Sequence, residues 1–260
     1  MIDPLSDLHE ARRREDLLGV SVEARRLIEA EAQLGSQWGD VAGLAMEVGD
    51  EVAALKAAEL LTRASPNYPQ SWLWLASALS GLGRHQQALE VIEKLIAQQP
   101  NDPALQRRAG RALLELGKTN LAALSFRRAI SLDRFDVLAW EGLAECITFE
   151  SGSGELAALE EMRLQNTANM SSTERGALAY TLAKAYRDVG EDAVAAMRVA
   201  EGAAFCRDDT GFDTERHEQS VKALIASYEP QFVEKHEDAG VIDGRPVLIM
   251  APPCAGADWL

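Results

Sequence analysis

A constant step between like residues constrains this chain more than any other feature of its sequence. Two sets of residues follow the step: the tryptophans Trp38, Trp72 and Trp140, and the glycines Gly49, Gly83 and Gly117. Neighbouring members are separated by one step, except that one tryptophan is missing between Trp72 and Trp140. The step is about 34 residues, which is enough for two helices and two turns but not for a unit that buries its apolar faces alone. The sequence therefore predicts a tandem array of stacked units.

The unit at residues 69–102 shows the helical spacing most clearly. Its first apolar stripe is Trp72, Leu75, Ala76 and Leu79, and its second stripe is Ala88, Ile92 and Leu95. Gly83 stands between the stripes as a helix breaker. The small side chains of Ala76 and Ala88 let two crossing helices approach closely. The same spacing predicts further units at 35–68, 103–136 and 137–170.

With these residues, positions 35–170 resemble the tetratricopeptide repeat family. The resemblance implies an all-α, right-handed helical solenoid of about five to six helix pairs. Three positions depart from the family's pattern: Gln106 replaces the tryptophan, Arg134 replaces a proline, and Ser151 replaces the turn glycine. These departures predict that the third and fourth units are the less regular ones.

Helical patterns continue on both sides of these units. Two further steps from Gly117 end at Ala185, but the glycine comes later, at Gly190, and this predicts a fifth helix pair after a slip near residues 167–172. Residues 1–34 carry two helical patterns, at 5–18 and 22–34, but lack the repeat's tryptophan and glycine. We therefore expect an amino-terminal cap at 1–34, an array at 35–209 and capping or linker helices at 210–243.

The character of the sequence changes at residues 244–260. Val247-Leu248-Ile249-Met250 is a short β-type run, and a loop of small residues follows it. With Arg245 and Pro246, this stretch resembles the first strand and loop in bacterial sulfotransferases that carry tetratricopeptide repeats. In that family the loop holds the phosphosulfate end of a phosphoadenosine phosphosulfate donor. The resemblance implies an alternative function, in which the chain is the amino-terminal part of an enzyme that transfers a sulfonate group to a hydroxyl or amine.

The loop departs from that family's pattern, G-x-P-R-S-G-T. The residues at its last five positions are Pro253, Cys254, Ala255, Gly256 and Ala257, and only the proline and the second glycine are kept. Cys254 in place of arginine removes a permanent charge, and each lost charged hydrogen bond costs roughly 1.5–3 kcal/mol. We therefore expect no donor binding by this loop. Residues 244–260 are either the truncated start of such a domain or a vestige of one.

Composition excludes several classes of function. The chain has 26 Lys and Arg residues against 41 Asp and Glu residues, a formal net charge of -15, which repels nucleic acid and anionic membranes. No signal-peptide pattern opens the chain, and no apolar run approaches the roughly 18 residues of a membrane span. Cys146, Cys206 and Cys254 are too widely spaced for a zinc site. We expect a cytoplasmic protein without metal, cofactor or catalytic site.

In repeat proteins of this type, the first helix of each unit lines a concave groove. The predicted groove residues are Leu73, Trp74, Ser77, Arg107, Arg108, Arg111, Glu141 and Glu145. Three arginines beside Trp74 predict a protein or extended peptide partner with acidic side chains or a free carboxyl terminus, and with one apolar anchor. In the alternative interpretation, these arginines pair with Glu115, Glu141 and Glu145 on the surface.

Overall fold

The computed structural model describes residues 4–165, 170–210 and 214–227, and in these residues all regular structure is helical. The α-helices are α1 (Ser6–Arg13), α2 (Leu17–Glu29), α3 (Trp38–Glu47), α4 (Glu51–Ala64), α5 (Pro69–Gly81), α6 (His85–Gln98), α7 (Pro103–Glu115), α8 (Thr119–Leu132), α9 (Val137–Cys146), α10 (Gly154–Gln165), α11 (Ser172–Asp188), α12 (Asp192–Thr210) and α13 (Thr214–Ser227). The β-type run predicted at 247–250 lies outside the described residues.

Each of the four predicted units contains one helix pair, from α3/α4 to α9/α10. Gly49, Gly83 and Gly117 end the first helices of three pairs with φ of +76°, +70° and +71°. This is the left-handed region, which glycine enters without the steric cost that a Cβ brings. The prediction of an all-helical repeat array is confirmed.

The amino-terminal pair follows the same step, although its sequence hides it. Glu15 stands one step before Gly49 and has a φ of +56°. Asp16 and Asp50, also one step apart, both accept a backbone N–H at the start of a helix, from Gly19 and Ala53. The predicted helix at 22–34 was therefore wrong in its bounds, because the cap at Asp16 starts α2 at Leu17.

Consecutive pairs pack through both of their helices. The second helix of each pair contacts the first helix of the next, as α4 contacts α5 and α8 contacts α9. First helices also contact one another directly: α3 contacts α5, α7 contacts α9, and α9 contacts α11. Helices α1–α12 belong to one compact unit, Met1–Thr210, whereas α13 belongs to a second unit that begins at Gly211.

Phe126 fills the space where the third and fourth units meet. Its ring is buried, and it lies against two glycines, Gly110 on α7 and Gly142 on α9. A Cβ on Gly110 would stand 2.8 Å from the ring, and a Cβ on Gly142 would stand 2.3 Å from it. Glycine is therefore required on both first helices for this ring to fit.

Trp72 and Trp140, two of the tryptophans that mark the repeat, each hydrogen-bond to the turn before their own helix. Nε1 of Trp72 donates to the carbonyl oxygen of Pro66 at 2.8 Å, and Nε1 of Trp140 donates to that of Arg134 at 3.0 Å. The two acceptors hold equivalent positions in their units. Arg134 therefore serves as well as a proline at this position, because the bond needs only its carbonyl group.

The fourth unit is irregular, as predicted, whereas the third, also predicted to be less regular, has a first helix of 13 residues and a turn glycine with φ of +71°, like the second. Helix α9 has 10 residues, against 13 in α5 and α7, and the positive φ falls on Gly152 rather than on Ser151. The carbonyl of Ile147 accepts from Lys184 of α11, and the amide of Phe149 donates to Asp188 at 3.0 Å. Helix α11 is longer, with 17 residues, and thus takes up part of the predicted slip.

Candidate partner-binding groove

The predicted groove residues lie on three consecutive first helices. Helix α5 carries Leu73, Trp74 and Ser77, α7 carries Arg107, Arg108 and Arg111, and α9 carries Glu141 and Glu145. We call the surface formed by these eight residues the groove face. Side-chain bonds join its helices, from α5 to α7 and from α7 to α9.

Trp74 is half-buried because it lies against two glycines of the preceding first helix. A Cβ on Gly43 would stand 3.1 Å from the indole ring, and a Cβ on Gly39 would stand 3.5 Å from its Nε1. One face of the ring is thus already packed on α3. The array itself therefore covers part of the Trp74 surface on which an apolar anchor of a partner could pack.

Two of the three arginines are paired with carboxylates. Nη1 of Arg111 lies 2.9 Å from Glu145, one of the partners that the surface-pairing interpretation named. Nε of Arg107 lies 2.8 Å from Asp136, a partner that sequence reasoning missed. Asp136 also accepts the amide of Ala139 at 3.0 Å, so it caps α9 while it holds Arg107. A signal for this contact was present in the sequence, since Asp136 directly precedes the predicted unit at 137–170 and aspartate is a common N-cap residue.

Arg108 differs from its two neighbours. Its Nη1 donates to Oγ of Ser77 at 3.1 Å, and no carboxylate of the described residues forms an ion pair with it. Burial of part of the guanidinium lowers its pKa, and the nearby charge of Arg107 lowers that pKa further, while Asp102 raises it. Arg108 is therefore the arginine of the groove face that forms no ion pair within the described residues.

A cleft of about 350 Å³ lies between α5 and α7, beside Arg108. Its floor is apolar, from Ala76, Ile92 and Ala112, and its rim is polar, from Ser77, His85 and Glu115. His85 belongs to α6 and was missed by the sequence argument, which considered first helices only. A volume of this size suits one or two side chains of a bound peptide.

Glu141 is the second charged residue of the groove face that stands apart from the paired ones. It is half-buried, and no ion pair joins it to any residue that the structure describes. The groove face thus presents a positive group at α7 and a negative group at α9.

Phe149, which follows the shortened end of α9, is buried and lies beneath the ammonium group of Lys184.

The donor-loop residues Pro253, Cys254, Ala255, Gly256 and Ala257 lie outside the described residues. Across the described ranges, no cluster of three or more His, Cys, Asp or Glu residues could hold a metal ion. Within the same ranges, every helix is too short or too polar to cross a membrane.

Two family models, both described as tetratricopeptide repeat, match the sequence at residues 45–112 and 107–169. These residues carry tetratricopeptide repeats. The matched stretch runs from the end of α3 to α10, so it contains all three helices that carry the groove face. A search of curated proteins found no match to this sequence.

Several solved structures are similar to this chain, all at low sequence identity. The Cut9–Hcn1 hetero-tetramer of the APC/C matches 90% of this chain and 44% of that chain, with 16% identity and a TM-score of 0.57. A MamA structure matches 66% of this chain and 98% of that chain, with 17% identity and a TM-score of 0.48. YrrB, described as a tetratricopeptide repeat protein with an unusual peptide-binding site, matches 72% and 93%, with 15% identity and a TM-score of 0.45.

Proposed function

We propose that this chain is a protein–protein interaction module that binds a peptide or protein segment on its groove face. Tetratricopeptide repeats at residues 45–169 support the general function. The observation that carries the site is the position of Arg108, a cation without a carboxylate partner among the described residues, beside a cleft with an apolar floor. Such a combination of one charge and one apolar pocket gives both orientation and affinity to a bound peptide.

The partner's chemistry follows from the groove-face charges that form no ion pair within the described residues. Arg108 favours an acidic side chain or a free carboxyl terminus, because a guanidinium binds a carboxylate through two parallel hydrogen bonds. An apolar side chain of the partner fills the neighbouring cleft over Ala76 and Ile92. Glu141 favours a basic residue further along the same partner. Arg107 and Arg111 are already paired with Asp136 and Glu145, so they hold neighbouring first helices together and do not bind the partner directly.

The test compares a short acidic peptide that has a free carboxyl terminus with the same peptide amidated. We expect Arg108→Gln to weaken binding of the free peptide at least about tenfold, since a charged hydrogen bond contributes roughly 1.5–3 kcal/mol. The matched control is Arg128→Gln, an exposed arginine on α8 that bonds Asn101 at 3.3 Å. Equal binding by both variants, measured by fluorescence anisotropy, would remove the groove face from consideration.

The finer sequence predictions stay predictions. A cytoplasmic location is inferred from the sequence alone, as is the sulfotransferase alternative, which rests on a resemblance at residues 179–203, 228–232 and 244–260. A titration of the full chain with the sulfonate donor separates that alternative from the interaction module.

A further inference from the structure

Four aliphatic side chains are more than half exposed near the amino-terminal end of the compact unit. The exposed fractions are 61% for Leu17, 74% for Leu18 and 54% for Val22 on α2, and 53% for Val52 on α4. Exposed aliphatic residues are ordinary when they are scattered, but these four lie on two helices that contact each other. Leu18 and Val52 hold equivalent positions, one repeat step apart. We call these four residues the aliphatic surface.

An open cleft of about 530 Å³ runs through this surface. Leu17 and Leu18 line one side, and Val48 and Val52 line the other. Between them lies the buried carboxylate of Asp50, whose Oδ2 accepts from Nε of Arg25 at 2.7 Å. This pair ties α2 to the turn before α4, so it holds the two aliphatic walls at a fixed separation.

The charges around the cleft are mainly negative. Glu51 lines the cleft, and Glu15 and Asp16 directly precede Leu17; none of the three forms an ion pair with a described residue. Each nearby arginine contacts a carboxylate: Arg25 pairs with Asp50, Arg12 pairs with Glu47, and Arg13 and Arg14 share Glu10. Lys56, one turn after Val52, is a neighbouring cation that has no carboxylate partner among the described residues. The local balance is therefore acidic, like that of the whole chain.

This charge decides between possible occupants of the cleft. A second copy of the chain would bring the same acidic groups against themselves, and like charges across an interface oppose association. An anionic lipid surface meets the same repulsion. A basic segment with aliphatic side chains satisfies both the apolar walls and the acidic groups beside them.

We propose that the aliphatic surface is a second docking site, separate from the groove face, for a partner helix that carries aliphatic residues on one side and Lys or Arg on its flanks. The cleft takes the aliphatic side chains of that helix in the manner of a helix lying in a groove. Glu15 and Asp16, which are both exposed, then face its basic flanks. The chain thus holds two partners, or two parts of one partner, at different positions.

Two model peptides test this proposal on the full chain. Both form amphipathic helices with leucine on one face, and one carries lysine on the other face where its counterpart carries glutamate. We expect the lysine peptide to bind and the glutamate peptide to remain unbound in fluorescence anisotropy. The double variant Leu18→Gln with Val52→Thr should weaken binding of the lysine peptide about tenfold, because two aliphatic contacts are lost.

Matched variants separate this site from other acidic or apolar surfaces. Leu164→Gln replaces a leucine of α10 that is 71% exposed, and it should bind the lysine peptide as the parent protein does. Arg108→Gln should also leave this binding unchanged, whereas it weakens binding at the groove face. An equal loss in Leu164→Gln, or no loss in the double variant, overturns the proposal. So does a dimer, seen by sedimentation, that the double variant dissociates.

Discussion

Arg111 and Glu145 stand one repeat apart in the sequence and pair across two consecutive first helices. Nη1 of Arg111 lies 2.9 Å from one carboxylate oxygen and 3.1 Å from the other. Both side chains are about half exposed, and an exposed ion pair of this kind contributes about 0–1 kcal/mol to folding. Its main effect is on recognition, because it removes one cation and one anion from the groove face.

Releasing Arg111 should therefore strengthen binding of an acidic peptide. In the variant Glu145→Gln, the guanidinium loses its carboxylate partner and becomes available to a ligand, so we expect the affinity to rise about threefold. Arg111→Gln should change the affinity less than Arg108→Gln does. Anisotropy titrations at two salt concentrations measure both effects. A larger loss in Arg111→Gln than in Arg108→Gln would mean that the partner displaces Glu145.

Asp50 makes stability depend on pH in the acid range. The hydrogen bond from Arg25 is the main cause that lowers its pKa to about 2, with help from Ser21 and the amide of Ala53, although burial opposes them. The pKa is lower in the folded protein than the ordinary value of 3.8, so the stabilisation is present above pH 3.8 and is lost as the pH falls towards 2.

The variant Asp50→Asn should accordingly unfold more easily at pH 7, by about 2 kcal/mol. The difference from the parent protein should shrink when both are measured near pH 2. Urea unfolding followed by circular dichroism gives the two values. Asp16→Asn is the control, since Asp16 caps α2 in the same way but has no ion pair within the described residues. A difference that does not vary with pH would show that the carboxylate charge is not responsible.

Gly142→Ala should destabilise the array by overpacking. The new Cβ would stand 2.3 Å from the ring of Phe126, and extra volume of this kind in a packed interior typically costs about 1–3 kcal/mol. Gly154→Ala is the matched control, because nothing lies within 4 Å of a Cβ there. The second change Phe126→Leu should recover part of the loss in Gly142→Ala. Thermal unfolding of the three variants measures this, and equal Tm values for both alanine variants would contradict the packing argument.

Glu15→Gly should stabilise the amino-terminal pair. Glu15 has a φ of +56°, and a residue with a Cβ pays roughly 1 kcal/mol for this conformation, whereas glycine does not. Gly49→Ala, at the equivalent position of the next pair, should lower the stability for the same reason. Hydrogen exchange of α1 and α2 reports the local effect. Faster exchange in Glu15→Gly than in the parent would show that the glutamate side chain has a stabilising role of its own.

The full chain should not bind a phosphoadenosine phosphosulfate donor. Cys254 and Ala255 lack the charge and the hydroxyl that arginine and serine provide in the sulfotransferase loops, and Asp258 adds a negative charge beside them. Titration calorimetry gives the answer directly. Measurable heat of binding would restore the sulfotransferase alternative and require a basic residue elsewhere in the native protein.

The helices were predictable from this sequence because tryptophan and glycine mark the same points of each unit. The contacts of the groove face were predictable only in part. Arg111 has the expected partner, Glu145, but Arg107 reaches Asp136 at the cap of α9 because helix packing decides which carboxylate is nearest. The regular step of the amino-terminal pair was missed because the position equivalent to Gly49 is occupied by Glu15, and only the structure shows that this glutamate has the positive φ of the turn glycines.

The bonds from α11 to the shortened end of α9 determine where this array can be divided. Lys184 donates to the carbonyl of Ile147, and Asp188 accepts from the amide of Phe149. The fourth pair therefore completes its backbone hydrogen bonding only through side chains of the fifth. A fragment cut after α10 would expose both groups and lose its last folded turn. A fragment for crystallisation or partner screening should therefore include α11, together with α12, which packs against it.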